Sequence, residues 1–238
     1  GSGMKAILTA YNKIKAGEAN LILAGGTESM SGSGFIIPGS VRMGHKMGDL
    51  TSVDRMVYDG LTDAFTGLSM GITAENIAEQ YHISREAQDE FSWKSQQKAI
   101  AAIDNGKFKE EIVPIEIRGR QETIIFDTDE YPTRATSLEK LSKLKPAFKK
   151  EGTVTAGIAS GINDGASFVL VASEEMVNKL GITPLVEIIA TGQGGVDPNI
   201  MGMGPVPAVN RALKKAGLSL REMEIIELNE AFAAQSLG

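Results

Sequence analysis

Met4-Lys5-Ala6-Ile7-Leu8-Thr9-Ala10-Tyr11-Asn12-Lys13-Ile14-Lys15-Ala16-Gly17, followed by Leu21-Ile22-Leu23-Ala24-Gly25-Gly26-Thr27-Glu28-Ser29, decides the fold class. Met4, Ile7, Leu8, Tyr11 and Ile14 recur at helical spacing and give residues 4–16 one apolar face. Gly17-Glu18-Ala19-Asn20 breaks that helix, and Leu21–Ala24 reads as a short buried strand. Gly25 to Ser29 then reads as a loop at the carboxyl end of the strand. Helix, strand and loop in this order are half of an α/β unit, so the expected fold class is α/β.

Outward from this unit, the pattern dissolves between Met30 and Thr66 into Gly, Ser and Met with scattered charges. That is too long for an ordinary connection and reads as a functional or dimer-contacting excursion. Helical pattern returns near Thr73. A stronger helix follows Ser84, a good N-cap, with Glu86 in its first turn and Asn105-Gly106 as its stop. Val113, Ile115 and Ile117 alternate as an edge strand beside Pro114, and Thr123–Phe126 returns as its hairpin partner. A short helix is expected around Ser137–Leu144. Ala166–Ala172 is a continuous apolar run that fits a strand covered on both faces. Leu185–Thr191 reads as another strand. Pro207 opens a helix that ends at Gly217, and Ser219-x-x-Glu222 forms a capping box. Ile225–Leu228 is read as a strand leading into Asn229. The order is α/β, a helix-rich insertion, then α/β again.

Composition bounds the function classes. The 238 residues suffice for one large or two smaller domains, and 42% apolar with 23% charged residues is the balance of a globular chain. A net charge of -6 argues against general nucleic-acid or membrane-surface binding. No apolar run reaches the length of a membrane span, and the start lacks a signal-peptide pattern, so a cytoplasmic location is expected. The absence of cysteine removes disulfides and thiolate metal sites, and His45 and His82 have no His-x-x-x-His spacing, so no metal is expected. Gly192-Gln193-Gly194-Gly195 lacks the third Gly and following helix of a dinucleotide fingerprint.

Taken alone, Asn229 reads as a helix N-cap satisfying an orphan amide. Its neighbours change that reading. Gly25-Gly26-Thr27-Glu28-Ser29-Met30, Lys145-Pro146-Ala147-Phe148, Gly152-Thr153-Val154-Thr155-Ala156-Gly157 and Ala159-Ser160-Gly161-Ile162-Asn163-Asp164-Gly165-Ala166 occur in one chain. Met201-Gly202-Met203-Gly204-Pro205, Asn229-Glu230-Ala231-Phe232 and the opening Gly1-Ser2-Gly3 complete the set. In order and spacing they resemble thiolases of the acetyl-CoA acetyltransferase type, over essentially the whole chain.

That resemblance implies a layered α/β/α/β/α fold, incomplete here, with a helix-rich loop-domain insertion. Residues 1–31 and 162–180 would belong to an N-terminal core domain. Residues 32–161 would be a loop domain carrying coenzyme A and oligomer contacts, and 181–238 the start of a C-terminal core domain. It further implies reversible Claisen condensation of two acetyl-CoA to acetoacetyl-CoA and CoA, through an acyl-cysteine. The cysteine would immediately precede Gly1, at the positive end of the first helix, where a thiolate is favoured. The remaining catalytic histidine and second cysteine would lie past Gly238. The chain is therefore expected to be an internal fragment, inactive by itself.

By the same resemblance Asn229 holds a water that donates to the enolate oxygen, a task suited to neutral donors in a dry pocket. The resemblance implies that Ala156, Gly157 and Ser160 line the pantetheine arm. It likewise implies that Leu61, Met70, Phe148, Met201 and Phe232 form apolar walls of its tunnel and that Arg134 meets the coenzyme's phosphates or adenine. The nearby run of Lys140, Lys143, Lys145, Lys149 and Lys150 reads as a solvated face. Coenzyme A thioesters are implied as substrates, with no separate cofactor and a homo-oligomer, dimer or tetramer, as the full-length form. Two departures bear on affinity: Leu68-Ser69 stands where the family usually has a tyrosine–histidine pair, and Ile158 replaces a common asparagine. A non-catalytic acyl-CoA-binding protein of the same fold is the alternative the missing cysteine favours. A β-ketoacyl synthase relative is the third reading, opposed by Asn-Glu-Ala-Phe.

Overall fold

A computed structural model describes residues 1–120 and 122–238. In chain order the elements begin with α1 (Ser2–Lys15), β1 (Leu21–Ser29), β2 (Phe35–Ile36), β3 (Val53–Asp54), α2 (Met70–Gln80) and α3 (Arg85–Asp104). They continue with β4 (Ile115–Arg118), β5 (Thr123–Phe126), α4 (Leu138–Ser142), β6 (Asp164–Ala172), α5 (Glu174–Leu180), α6 (Pro205–Ala216) and α7 (Ala233–Leu237). The fold is α/β. Two compact units are present: 1–67 with 162–227, and 68–161 with 228–238.

In the first unit, the spacing of Ile7, Ala10 and Ile14 lets α1 lie on one face of a β1–β6 ladder. The ladder is antiparallel, from Leu21 opposite Ala172 to Ser29 opposite Asp164. Because side chains alternate across a strand, Ile22, Ala24 and Val171 face α1, joined by Ile188. Gly17, at φ 74°, closes α1, with the Glu18 N–H reaching the Lys13 carbonyl. Lys13 and Lys15 in the last turn complement the helix dipole.

Three local expectations change here. Gly1-Ser2-Gly3 is the N-cap and first turn of α1 rather than a lead-in, with the Lys5 N–H bonded to the Gly1 carbonyl. Gly25 to Ser29 are not a loop: β1 runs through them, and a Cβ on Gly25 would stand 2.1 Å from the Ser167 carbonyl oxygen. The strand at 166–172 forms, but α1 covers one face only, and Leu23, Phe168 and Leu170 on the other are exposed. Past β1, both carboxylate oxygens of Asp164 accept from Ser31, and the Ser31 hydroxyl, then its backbone N–H, hold that carboxyl below the ordinary aspartate range.

Leu185–Thr191 and Ile225–Leu228 form no strand among the described residues. An apolar run becomes a strand only where a second backbone lies beside it. After the first run the chain instead turns onto α6. Arg211 donates to the Gln193 carbonyl at 2.7 Å and Lys215 to the Thr191 carbonyl at 3.0 Å. Gly192 permits this approach, since a Cβ there would meet the Ala208 carbonyl oxygen at 2.0 Å. α6 opens at Pro205, two residues earlier than its spacing suggests, and ends at Gly217 in the left-handed region.

The second unit packs α2, α3 and α7 around Ala74, Val154, Ile158 and Ala233, with Phe91 and Phe232 against that cluster. The Ser84 hydroxyl caps α3, accepting from the Ala87 N–H at 3.2 Å. Arg85 pairs with buried Asp89 at 2.9 Å and donates to the Leu141 and Leu144 carbonyls at 2.6 and 3.1 Å, pinning α4 to α3. β4 and β5 form the expected hairpin, Ile115 opposite Phe126.

Candidate functional site

Backbone contacts within the second unit bring Ala156, Gly157 and Ser160 beside the segment that carries Asn229. Thr155 caps a short 3-10 turn, Ala156–Ile158, accepting from the Gly157 N–H at 3.2 Å. The chain leaves that turn extended, and Ala159 forms an antiparallel bridge with Phe232. The Ser160 N–H donates to the Ala231 carbonyl at 2.9 Å. The loop carrying Ala156, Gly157 and Ser160 thus runs beside the segment carrying Asn229.

Asn229 itself is exposed and makes no side-chain hydrogen bond among the described residues. It is not an N-cap: α7 begins four residues later, at Ala233, with Phe232 in the cap position. The next residue is anchored, because the Ser95 hydroxyl of α3 donates to the Glu230 carboxylate at 2.5 Å. A neutral carboxamide thereby sits just before a segment held at Glu230, Ala231 and Phe232, with its donor and acceptor open to a partner.

The apolar positions divide between units. Phe148 meets Phe232 edge to face, ring centroids 6.3 Å apart at 80°. The Phe148 ring also lies on Gly71, the residue after Met70, where a Cβ would stand 2.3 Å from ring carbons. Half-buried Met70 opens α2 beside this pair. Leu61 and Met201 belong to the first unit, both half-buried. Ile158, the departure from the expected asparagine, is buried in the core cluster.

Arg134 is not a lone cation. It makes two hydrogen bonds to the Asp104 carboxylate, at 2.9 and 2.5 Å. Those bonds, and then the charge behind them, hold the Asp104 carboxyl below the ordinary aspartate range and raise the Arg134 guanidinium. A phosphate would have to share or displace this carboxylate. Of the lysine run, Lys143 pairs with Glu139, Lys149 with Glu79, and Lys140 donates to the Ala135 carbonyl, as a solvated face does.

Sequence reading missed two supports. The Tyr131 hydroxyl donates to the Ala159 carbonyl at 3.3 Å and its ring covers Gly161, where a Cβ would stand 2.1 Å away. The Arg134 segment is therefore tied to the Ser160 loop. The other is Glu75, a buried α2 carboxylate bonded to Thr153 and Val154. Only Gly152-Thr153, small residues at a close approach, hinted at it. Cavities lie elsewhere among the described residues. One of about 340 Å³ lies between Ile103, Phe108, Ile112 and Pro114, and one of about 390 Å³ lies behind the loop, by His82, Lys149 and Thr153. Among the described residues no group of three His, Cys, Asp or Glu could hold a metal ion, and no helix is long and apolar enough to cross a membrane.

The model of the thiolase N-terminal domain matches residues 1–175, and that of the thiolase C-terminal domain residues 182–238. An acetyl-CoA acetyltransferase of Syntrophomonas wolfei is 53% identical over 242 residues, spanning 100% of this chain and 60% of its own length. A probable acetyl-CoA acyltransferase of Staphylococcus aureus (strain COL) is 56% identical over 239 residues, 100% of this chain and 61% of its own. The crystal structure of Bacillus anthracis acetyl-CoA acetyltransferase superposes with a TM-score of 0.94 at 44% identity, over 99% of this chain and 59% of that one. Human mitochondrial 3-ketoacyl-CoA thiolase in complex with CoA gives 0.92 at 47%, over 100% and 59%. The chain spans about 60% of the length of these curated relatives.

Proposed function

Because this chain belongs to the thiolase family, we propose that it supplies the coenzyme A groove and one oxyanion donor of an acetyl-CoA C-acetyltransferase. The proposed reaction is reversible condensation of two acetyl-CoA to acetoacetyl-CoA and CoA, through an acyl-cysteine. The observation that carries this reading is the Ser160–Ala231 backbone bond with the adjoining Ala159–Phe232 bridge, which sets the loop of Gly157 and Ser160 beside Asn229.

Within that frame each residue has a physical task. Ala156 and Gly157 offer backbone without bulk to an extended pantetheine arm. Phe148, Phe232 and Met70 give the arm apolar surface. Asn229 holds a water whose O–H donates to the enolate oxygen, where charge develops only during reaction. Arg134 exchanges Asp104 for a coenzyme phosphate. The domain scheme of 1–31 with 162–180, 32–161 and 181–238 belongs to the same reading, as do a homo-oligomeric full-length form, a cytoplasmic location and the absence of any cofactor beyond the thioester substrates.

The 238 residues contain no cysteine, so the chain alone is proposed to bind thioesters without turning them over. Serine or lysine could attack a thioester only with an activating neighbour. The second reading is a non-catalytic acyl-CoA-binding protein of this fold. Thiolysis of acetoacetyl-CoA separates the readings, measured on this chain and on one extended at both ends to the length of its relatives. The expected result is turnover by the extended chain only, with Asn229→Ala lowering kcat more than it weakens CoA binding. Comparable turnover by the 238-residue chain would overturn the acyl-cysteine mechanism.

A further inference from the structure

The loop that carries Gly157 and Ser160 has its base in an unusual place, on a carboxylate inside the second unit. Glu75 lies midway along α2 and is 5% exposed. Its Oε1 accepts from the Val154 N–H at 2.8 Å. Its Oε2 accepts from the Thr153 N–H at 2.9 Å and from the Thr153 hydroxyl at 3.1 Å. That hydroxyl in turn accepts from Nε2 of fully buried Gln88 on α3, at 3.0 Å. Side chains from two helices thus meet at Thr153, and the Glu75 carboxylate alone also holds Val154.

The fit is close on the loop side too. A Cβ on Gly152 would stand 2.0 Å from Glu75 Oε1, so only glycine lets the backbone reach the carboxylate. Beyond this grip the loop is short and constrained: Val154 and Thr155 are fully buried, the Ala156–Ile158 turn comes next, and Ser160 is bonded to Ala231. The Val154 carbonyl also accepts from the Ala147 N–H at 2.9 Å, beside Phe148. A buried carboxylate is costly unless fully hydrogen-bonded, and an apolar residue would fill a helix core more cheaply. Its use here fits a demand for one backbone placement rather than for stability alone.

We propose that Glu75 is a positioning residue for the thioester loop: its carboxylate fixes the backbone of Thr153 and Val154, and through them the placement of Gly157 and Ser160 against Ala231. The assignment rests on the thioester-binding reading given above. Glu75 touches no substrate and acts through the loop. Gln88 steadies the same point by orienting the Thr153 hydroxyl.

The test compares Glu75→Gln, Thr153→Val and Ile77→Ala with the unaltered 238-residue chain. Acetyl-CoA affinity is measured by calorimetry, and amide hydrogen exchange is followed residue by residue. Glu75→Gln puts an NH2 donor against an N–H donor, and Thr153→Val removes one of the three bonds and can be read if the first variant fails to fold. Ile77 is buried two residues along α2, about 200° around the helix, so its truncation destabilises α2 without touching the grip. Glu75→Gln is expected to speed exchange at Val154 by roughly 100-fold and to raise the acetyl-CoA Kd about tenfold, the loss of one charge-assisted bond. Thr153→Val should raise Kd about threefold, and Ile77→Ala should leave it within about twofold. Binding that Glu75→Gln does not weaken, or that Ile77→Ala weakens equally, would overturn the role of Glu75. Failure of the unaltered chain to bind acetyl-CoA would instead overturn the thioester-site reading itself, and with it the task assigned to this loop.

Discussion

Gly157→Ala tests whether packing, rather than turn geometry, reserves that position for glycine. A Cβ at residue 157 would stand 2.6 Å from Leu141 Cδ2 and 2.6 Å from Leu144 Cδ1. That is about 1 Å inside the ordinary carbon–carbon contact of roughly 3.5–4.0 Å, on two fronts at once. Retreat of Leu141 is limited, because Arg85 holds its backbone carbonyl and its side chain is buried, whereas Leu144 is exposed. The leucines must leave their rotamers or the Ala156–Ile158 turn must lift away, and overpacking of this kind costs about 1–3 kcal/mol. Trp93 is the single tryptophan and lies on α3 in the same unit, so its fluorescence reports urea unfolding of the part concerned. With a denaturant slope of about 2–3 kcal/mol/M, the midpoint should fall by roughly 0.5–1 M. Adding Leu144→Ala to Gly157→Ala should recover part of the loss, as contacting residues couple in a double-mutant cycle. An unchanged midpoint, or simple additivity of the two changes, would refute the packing explanation.

Asp104→Asn should free the Arg134 guanidinium and tighten CoA binding roughly two- to fivefold, the competition expected of one exposed ion pair, with a steeper salt dependence in calorimetry. Asp104 is depressed in the folded chain. The contribution of the pair is therefore present above the unfolded aspartate value and lost as pH falls through the lower folded one. Acid titration below about pH 4 should change the Asp104 carboxyl NMR shift together with the Arg134 side-chain signals, and the Asp104→Asn variant should lack that step in the Arg134 signals. His82→Gly should stabilise the second unit by about 0.5–1 kcal/mol, read as a higher urea midpoint. His82 sits at φ 54°, and relief of about 1–2 kcal/mol outweighs the extra chain entropy of glycine, about 0.5–1 kcal/mol.

What the sequence made legible was local. α1 carries its own apolar spacing and stop, α3 its Ser84 cap and Asn105-Gly106 stop, and the β4–β5 hairpin is set by alternating residues around Gly119. Leu185–Thr191 and Ile225–Leu228 have strand composition, but a ladder depends on a second backbone that composition does not reveal. Glu75 was hidden for a related reason. A glutamate within a helix reads as a solvated charge, and its burial comes from a loop nearly eighty residues later. The Arg134–Asp104 pair likewise joins residues thirty apart, so a cation that looked available for phosphate is already engaged. Glycines leave room for side chains to lie against the backbone, Phe148 at Gly71, Glu75 at Gly152, Leu141 and Leu144 at Gly157, and Tyr131 at Gly161.

The central claim is that the Ala156–Ser160 loop and the Asn229–Phe232 segment form one acyl-CoA site. Hydrogen–deuterium exchange of the 238-residue chain with and without saturating acetyl-CoA tests it most directly. Protection is expected at residues 156–160, 229–232 and 131–134, a pattern that dephosphorylated CoA should weaken at 131–134 alone. Protection confined to residues 103–114 and 127–129, around the cavity under Phe108, would contradict that placement.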